Sequence, residues 1–202
     1  GTVAIGKSAL TALTTGAKNT AIGYNAGLAL TSGERNCILG YEALDGATTE
    51  TDDNVAIGFA SMGGAIGTEA VNDCVAIGSY ALGGALEEEA SGNIAIGVTA
   101  LLANTSGAKN VAIGYSAMLS NIEGDSNVAI GYAAMDAMVG YTGEDNVGDR
   151  NIAIGTDAMG AVNAGDHDSA RSDDNIAIGH NAMLGGNFAS GNKQLEDNIA
   201  IG

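Results

Sequence analysis

One short stretch of this chain brings together the residue types of a hydrolytic site. Asp166, His167, Asp168 and Ser169 supply two carboxylates, an imidazole base and a hydroxyl nucleophile on consecutive residues. The members of a catalytic triad usually meet in space from distant parts of a sequence, and neighbours on a polar segment rarely converge in that way. We therefore expect a solvated loop here. The sequence predicts no catalytic residue, and it predicts that the protein is not an enzyme.

Calcium binding is the second chemistry that the residue types suggest, because carboxylates in turns offer hard oxygen ligands. The chain contains neither an EF-hand loop nor the Gly-Gly-x-Gly-x-Asp nonapeptide of calcium-binding β-rolls. We expect no cofactor. A calcium site stays open as an alternative, and its candidate ligands are Asp166, Asp168, Asp173 and Asp174.

The charge and the cysteine content limit the classes of partner. The net charge is −17, with only seven Lys plus Arg, so the chain lacks the clustered cations that bind nucleic acid or anionic lipid. No apolar stretch is long enough to predict insertion into a membrane. Cys37 and Cys74 lie two repeats apart, which is too far for a disulfide between stacked coils. We expect both thiols to be buried and unpaired.

The elements that must position these residues come from a repeat. The phrase Asn-Val-Ala-Ile-Gly, or a close variant, recurs eleven times at intervals of 17 to 24 residues. A fixed phrase at such intervals is typical of a solenoid, in which each coil buries its apolar face only by stacking on its neighbours. We expect an all-β parallel solenoid, or β-roll, of about ten coils over residues 1–202, and we expect this domain to be a window of a longer repetitive fibre chain.

Each phrase predicts one short β-strand with two distinct faces. Val and Ile alternate with Ala and Gly, so the two pairs point to opposite sides of the sheet. We expect the Val/Ile side to fill the coil interior. The small residues of the other side then imply close packing against a second chain. The candidate oligomer face is represented by Ala56, Gly58, Ala112, Gly114, Ala129 and Gly131.

The segments between the phrases carry two further recurring features. An Ala-Leu or Ala-Met pair follows most of the glycines, and it fits either a second short strand or a single helical turn. In the shortest coils a glycine such as Gly16 or Gly33 precedes the asparagine by three residues, which predicts a turn with positive φ at that glycine. The asparagines themselves should stack as a hydrogen-bonded column. Its members are Asn19, Asn36, Asn54, Asn93, Asn110, Asn127, Asn151, Asn175 and Asn198.

Acidic residues gather in the insertions that lengthen some coils. These insertions all fall just before the asparagine, so they should line one edge of the rod, where solenoids often carry their recognition surface. The longest ones lie between Gly131 and Gly202, which makes that end the expected binding region. A column of Tyr and Phe directly after the repeated glycine offers stacking platforms for sugars or, more simply, partly buried packing.

The phrases Asn54–Gly58 and Asn127–Gly131 resemble the head repeats of YadA-like trimeric autotransporter adhesins. Asn19 to Ala26 is similar to repeats of phage tail-fibre and other surface-fibre proteins. The resemblance covers all eleven copies. It implies a left-handed β-roll in which three chains pack about a common axis, although the coils here are longer and more acidic than those of the adhesin heads.

These features together predict a structural or adhesive fibre segment of extracellular, cell-surface or virion location. The expected partners are further copies of the chain, as a homotrimer or a filament, together with a host surface glycan or receptor bound by the acidic edge loops. A self-assembling extracellular filament without a specific ligand stays open as an alternative. A glycan-degrading enzyme of the tailspike type is a third one, although such an enzyme requires carboxylates that converge in a groove.

Overall fold

The computed structural model describes residues 1–48, 50–66, 70–87, 89–137, 148–160, 172–185 and 196–202. It forms a single sheet of 11 parallel strands in chain order, each strand pairing with the next. The predicted β-solenoid is confirmed, with one three-residue strand in each repeat. The strands are β1 Val3–Ile5, β2 Thr20–Ile22, β3 Cys37–Leu39, β4 Val55–Ile57, β5 Val75–Ile77, β6 Ile94–Ile96, β7 Val111–Ile113, β8 Val128–Ile130, β9 Ile152–Ile154, β10 Ile176–Ile178 and β11 Ile199–Ile201.

Neighbouring strands pair without any slip in register. Ala112 of β7 pairs with Ala129 of β8, for example, and Val111 pairs with Val128. Steps of different length preserve this register, because the extra residues are accommodated between the turn and the next asparagine. The result is a stack of like residues in columns, spaced by about 4.8 Å at each step.

The strand faces point the opposite way from the sequence prediction. Ala112, at the centre of β7, is fully buried inside the coil, and the same holds for Ala56 and Ala129. The flanking Val and Ile residues are half-buried or exposed, with Ile130 at 37% and Leu39 at 44% exposure. The assignment of Ala56, Ala112 and Ala129 to an oligomer face is therefore wrong, because their side chains lie in the interior of their own chain.

The repeated glycines also have a role other than the one predicted. Gly114 has φ +138°, and a Cβ on it would lie 2.2 Å from the carbonyl oxygen of Gly131 in the next coil. Gly58 and Gly131 are blocked in the same way. Only a residue without a side chain fits this column, so Gly58, Gly114 and Gly131 are required by coil-to-coil contact within one chain. Their presence gives no evidence of a second chain.

The interior is narrow, and its bulk comes from the turn that follows the strand. Leu44, Leu82, Leu101 and Met118 are fully buried there, next to a second column of buried alanines such as Ala117. Because these long side chains already fill the coil, the strand opposite them has room only for alanine. Period-two alternation defines two faces, but it does not state which of them is inside.

The Ala-Leu/Met segment is neither a strand nor a helical turn. Its backbone alternates in sign, with φ +54° at Ser116 and φ +53° at Met118 on either side of Ala117. The amide of Met118 donates to the Ala134 carbonyl of the next coil, and the amide of Ser116 donates to Val98 of the previous one. The two residues with positive φ therefore donate their amides to opposite neighbouring coils, and Ala117 between them donates to Gly114 of its own coil. The stack thus satisfies a backbone that would be strained in isolation.

The turn before each asparagine places its positive φ on a different residue from the one predicted. Lys18 and Arg35, which directly precede Asn19 and Asn36, have φ of 62° and 58°. Gly16 and Gly33 are needed for close approach instead. A Cβ on Gly16 would lie 2.1 Å from the carbonyl oxygen of Gly33.

Two departures from the repeat compensate each other. Ile38 occupies the position of the buried strand alanine and is itself fully buried. Gly27, in the preceding coil, occupies the position of the buried Leu or Met. A Cβ on Gly27 would lie 2.7 Å from the Leu10 Cδ2 atom and 3.0 Å from the Ile38 Cδ1 atom, so the missing side chain leaves space that Ile38 and Leu10 share.

The buried strand face predicts how substitutions in β7 behave. Ala112→Leu should overpack the interior and lower the free energy of unfolding by about 1–3 kcal/mol. Val111→Leu, on the outer face of the same strand, should change it by less than about 0.5 kcal/mol. Urea unfolding followed by circular dichroism measures both. Equal effects of the two variants would contradict the orientation of the strand.

The Gly27–Ile38 pair predicts non-additive substitutions. Ile38→Ala should cost about 2–4 kcal/mol by leaving a cavity. Gly27→Leu alone should cost about 1–3 kcal/mol because it clashes with Ile38 and Leu10. The double variant restores the usual Leu-and-Ala combination, so it should lose at least about 1 kcal/mol less than the sum. Additive losses in a double-mutant cycle of urea unfolding would show that the two positions do not compensate.

Candidate functional site

The asparagine column lies between the coil interior and the edge of the rod that carries the insertions of the longer coils. Asn127 donates its side-chain amide to the Asn110 Oδ1 atom at 3.2 Å, and its backbone amide donates to the same oxygen at 2.9 Å. The Asn127 Nδ2 atom also donates to the Gly148 carbonyl at 2.8 Å. The same pattern links Asn19, Asn36 and Asn54, and it runs again from Asn110 to Asn198. Asn93 joins this second run by accepting the Asn110 backbone amide. The structure thus contains the predicted ladder, and these side chains hold the turn.

Cys74 interrupts the ladder where its thiol replaces an asparagine. Its amide still donates to the Asn54 Oδ1 atom at 2.9 Å, and its Sγ atom lies 3.4 Å from the Ala90 carbonyl oxygen. Burial raises the pKa of this thiol to about 11. Cys37, in contrast, is exposed on β3. The prediction of two buried thiols therefore holds for Cys74 and is wrong for Cys37, because the first strand position faces outward.

A second ladder, which sequence reasoning missed, runs along the edge two residues before each asparagine. Asp173 accepts the Asp149 amide at 2.9 Å, Asp149 accepts the Asp125 amide at 2.8 Å, and Asp125 accepts the Ala108 amide at 2.7 Å. Asp52 accepts the Glu34 amide in the same way. The signal was present in the sequence, since most repeats carry a hydrogen-bond acceptor at this position. We call this column, together with the residue that follows each member and the segment between the Ala-Leu/Met pair and that member, the acidic edge.

Two arginines neutralise part of the acidic edge. Arg150 holds Asp174 of the next coil through Nε–Oδ1 and Nη2–Oδ2 contacts of 2.7 and 2.8 Å, and Arg35 holds Asp53 with similar geometry. Hydrogen bonding to the guanidinium lowers the pKa of Asp174 and of Asp53. At Asp149, desolvation and the like charges of Asp173 and Asp125 raise the pKa instead, against the opposing effect of the amide that it accepts.

The calcium candidates that can be placed already have protein partners. The Asp174 carboxylate is engaged by Arg150, and Asp173 accepts an amide while its Oδ2 atom lies 3.8 Å from the Arg150 Nη2 atom. Asp166 and Asp168 lie outside the described residues, as do His167 and Ser169. Among the residues with described positions, no three His, Cys, Asp or Glu side chains are grouped so as to hold a metal ion.

A shallow groove of about 330 Å³ opens on the acidic edge across three consecutive coils. It is strongly acidic, so a cation or a basic group is the ligand chemistry that it favours. Its lining consists of Ser32, Glu34, Glu50, Asp52, Ala70 and Asn72.

The aromatic column lies directly after the repeated glycine and is exposed. Tyr24 stacks on Tyr41 with ring centroids 5.0 Å apart, and Tyr115 stacks on Tyr132 at 5.4 Å. A sugar stacks on the face of a ring, and these faces are largely covered by the neighbouring rings. The column therefore presents ring edges, which suits packing against another surface, the simpler of the two interpretations of the sequence, better than it suits a sugar platform. His180 occupies the same column and is exposed.

Asn104, the acceptor of a glycosylation sequon, lies inside the coil. It is fully buried, and its Nδ2 atom donates to the Gly107 carbonyl at 2.9 Å. Its amide is therefore inaccessible in the folded chain. None of the described segments forms a helix of the length and hydrophobicity that crossing a bilayer requires.

The Arg150 clamp predicts a pH-dependent contribution to stability. Because the pKa of Asp174 is lowered from its usual 3.8, the clamp stabilises the fold above that pH and loses its effect as the pH falls below it. Arg150→Gln should lower Tm by about 1–3 °C at neutral pH, and the difference from the wild type should shrink as the pH falls below 3.8. Lys109→Gln is the control, because the next residue in the Lys109 column is the uncharged Ser126. An Arg150→Gln effect of the same size at neutral and acidic pH would contradict the clamp.

A scan against protein-family models finds no match for this chain, and searches of curated proteins and of solved structures find none either.

Proposed function

We propose that this protein is a structural segment of a fibre at a cell surface or on a virion, in which several copies lie side by side. The resemblance to adhesin heads and tail-fibre repeats favours three copies. The continuous, in-register stack of β1 to β11 carries the proposal, because such a stack yields a rod about 50 Å long whose length scales with the number of coils.

The side-chain ladders support a mechanical role. Asparagine amides link successive coils inside the turn, and edge carboxylates link them again on the surface. Each step therefore adds several hydrogen bonds to those of the sheet, and each is worth about 1 kcal/mol in net terms. Interactions that recur at every step distribute a load along the rod.

The acidic edge is the surface that we propose for adhesion. It concentrates carboxylates on one side, it contains the groove lined by Glu50 and Asp52, and its segments vary in length without shifting the strand register. Variable segments on an invariant scaffold are the usual arrangement of a recognition surface. The expected ligand is a host receptor or a surface glycan that presents positively charged groups.

Binding of the labelled protein to a glycan array and to cultured cells tests the adhesive role. We expect salt-sensitive binding without release of free sugar. Glu50→Gln combined with Glu87→Gln, two exposed carboxylates of the edge segments, should weaken binding by about tenfold.

The matched control removes the same charge from the turns after the repeated glycines, with Glu42→Gln and Asp157→Asn, and should bind as the wild type does. Equal weakening by both double variants, or no binding at all, would contradict adhesion through the acidic edge. Release of sugar from a bound glycan would favour the tailspike-type enzyme instead.

A further inference from the structure

The outward orientation of the strand Val and Ile residues leaves an apolar surface along the whole rod. We call it the outer strip and define it as the first and third residues of β1 to β11 together with the aromatic column beside them. Ile130 is 37% exposed, Leu39 is 44% exposed and Tyr132 is 57% exposed. No strand residue carries a charge, although the chain has a net charge of −17.

The size of the outer strip matches that of a protein interface. Ten strand spacings give a length of about 50 Å, and five residues from the strand to the aromatic column give a width of about 15 Å. The resulting footprint of about 700 Å² approaches the roughly 800 Å² that each partner buries in a stable complex.

The corrugation of the strip identifies its partner. Side chains project in rows spaced by about 4.8 Å, and a partner with a different spacing would fall out of step within a few rows. A surface with the same spacing over ten rows is available on another copy of this chain. The stacked rings Tyr24 and Tyr41 have centroids 5.0 Å apart, so the aromatic column follows nearly the same row spacing.

The charge distribution is compatible with the same partner. The carboxylates of the acidic edge, such as Asp125 and Asp149, belong to the turn before the asparagine, whereas the strip begins after it. Two copies can therefore join their strips while the acidic edges stay in solvent, where repulsion is screened over about 10 Å.

We infer that a second copy of this chain packs on the outer strip. This inference rests on the proposed fibre role, which requires copies to lie side by side, and it names the surface that joins them. It also replaces the Ala/Gly face, which is buried within each chain.

Sedimentation of the intact chain over a range of concentrations tests the inference. We expect the wild type to associate and Ile130→Lys to raise the dissociation constant by about tenfold or more, because the lysine would enter an apolar contact. Ser126→Lys is the matched control in the same coil. Its column naturally holds Lys18 and Lys109, so association should stay within about twofold of the wild type.

The native thiols give a second readout that needs no substitution. Cys37 lies exposed on the strip, whereas Cys74 is buried with a pKa raised to about 11, so the alkylation rate of the folded protein reports on Cys37. This rate should fall by about tenfold as association proceeds. If the circular dichroism spectrum of Ile130→Lys shows that this variant is not folded, the Cys37 alkylation rate of the wild type alone tests whether the strip is covered on association.

A wild type that stays monomeric, with Cys37 equally reactive at every concentration, would overturn the inference. So would an oligomer that Ile130→Lys and Ser126→Lys affect equally and that leaves Cys37 reactive. Failure of the edge variants to alter ligand binding, with association through the strip intact, would refute only the adhesive part of the proposed function.

Discussion

The requirement that every coil repeat at one strand spacing governs this molecule. At that spacing each residue meets its equivalent in the next coil, so a column tolerates only residue types that can contact their own kind. Glycine fits where the backbones nearly touch, as at Gly114 and Gly131. Asparagine fits in the interior turn because its amide both donates and accepts, so that each copy pairs with the next. Stacked rings satisfy the same condition on the surface.

This requirement also explains the orientation of the strands. A coil with one three-residue strand encloses little volume, and the turn already inserts a Leu or Met at every step except that of Gly27. Alanine at the strand centre completes a dense interior, and the larger Val and Ile are left outside. An apolar exterior therefore follows from an interior that is full. In an ordinary globular sheet, where the facing layer lies about 10 Å away, the same phrase would orient the other way.

The sequence was sufficient to predict the solenoid, the strand positions and the asparagine ladder, because each depends on a local pattern repeated many times. It was insufficient for the orientation of the strands, since alternation is symmetrical between the two faces. It also misplaced the positive φ of the turn, which lies on Lys18 and Arg35 rather than on Gly16 and Gly33. Gly16 and Gly33 are required because the backbone of the next coil leaves no space for a Cβ atom, and not because of their own φ. The acidic ladder could have been recognised from the acceptors two residues before Asn54 and Asn127.

The compensating pair of Gly27 and Ile38 has a consequence for how the chain finds its register during folding. A repetitive sequence risks pairing each coil with the wrong neighbour, because a shift by one whole repeat preserves nearly every column. Such a shift would place Ile38 against a Leu or Met instead of the vacant position at Gly27, and the narrow interior could not accommodate both. This one irregular pair therefore makes the native pairing of the two coils more stable than a pairing shifted by one repeat. In a perfectly repetitive sequence the two pairings would be equally stable.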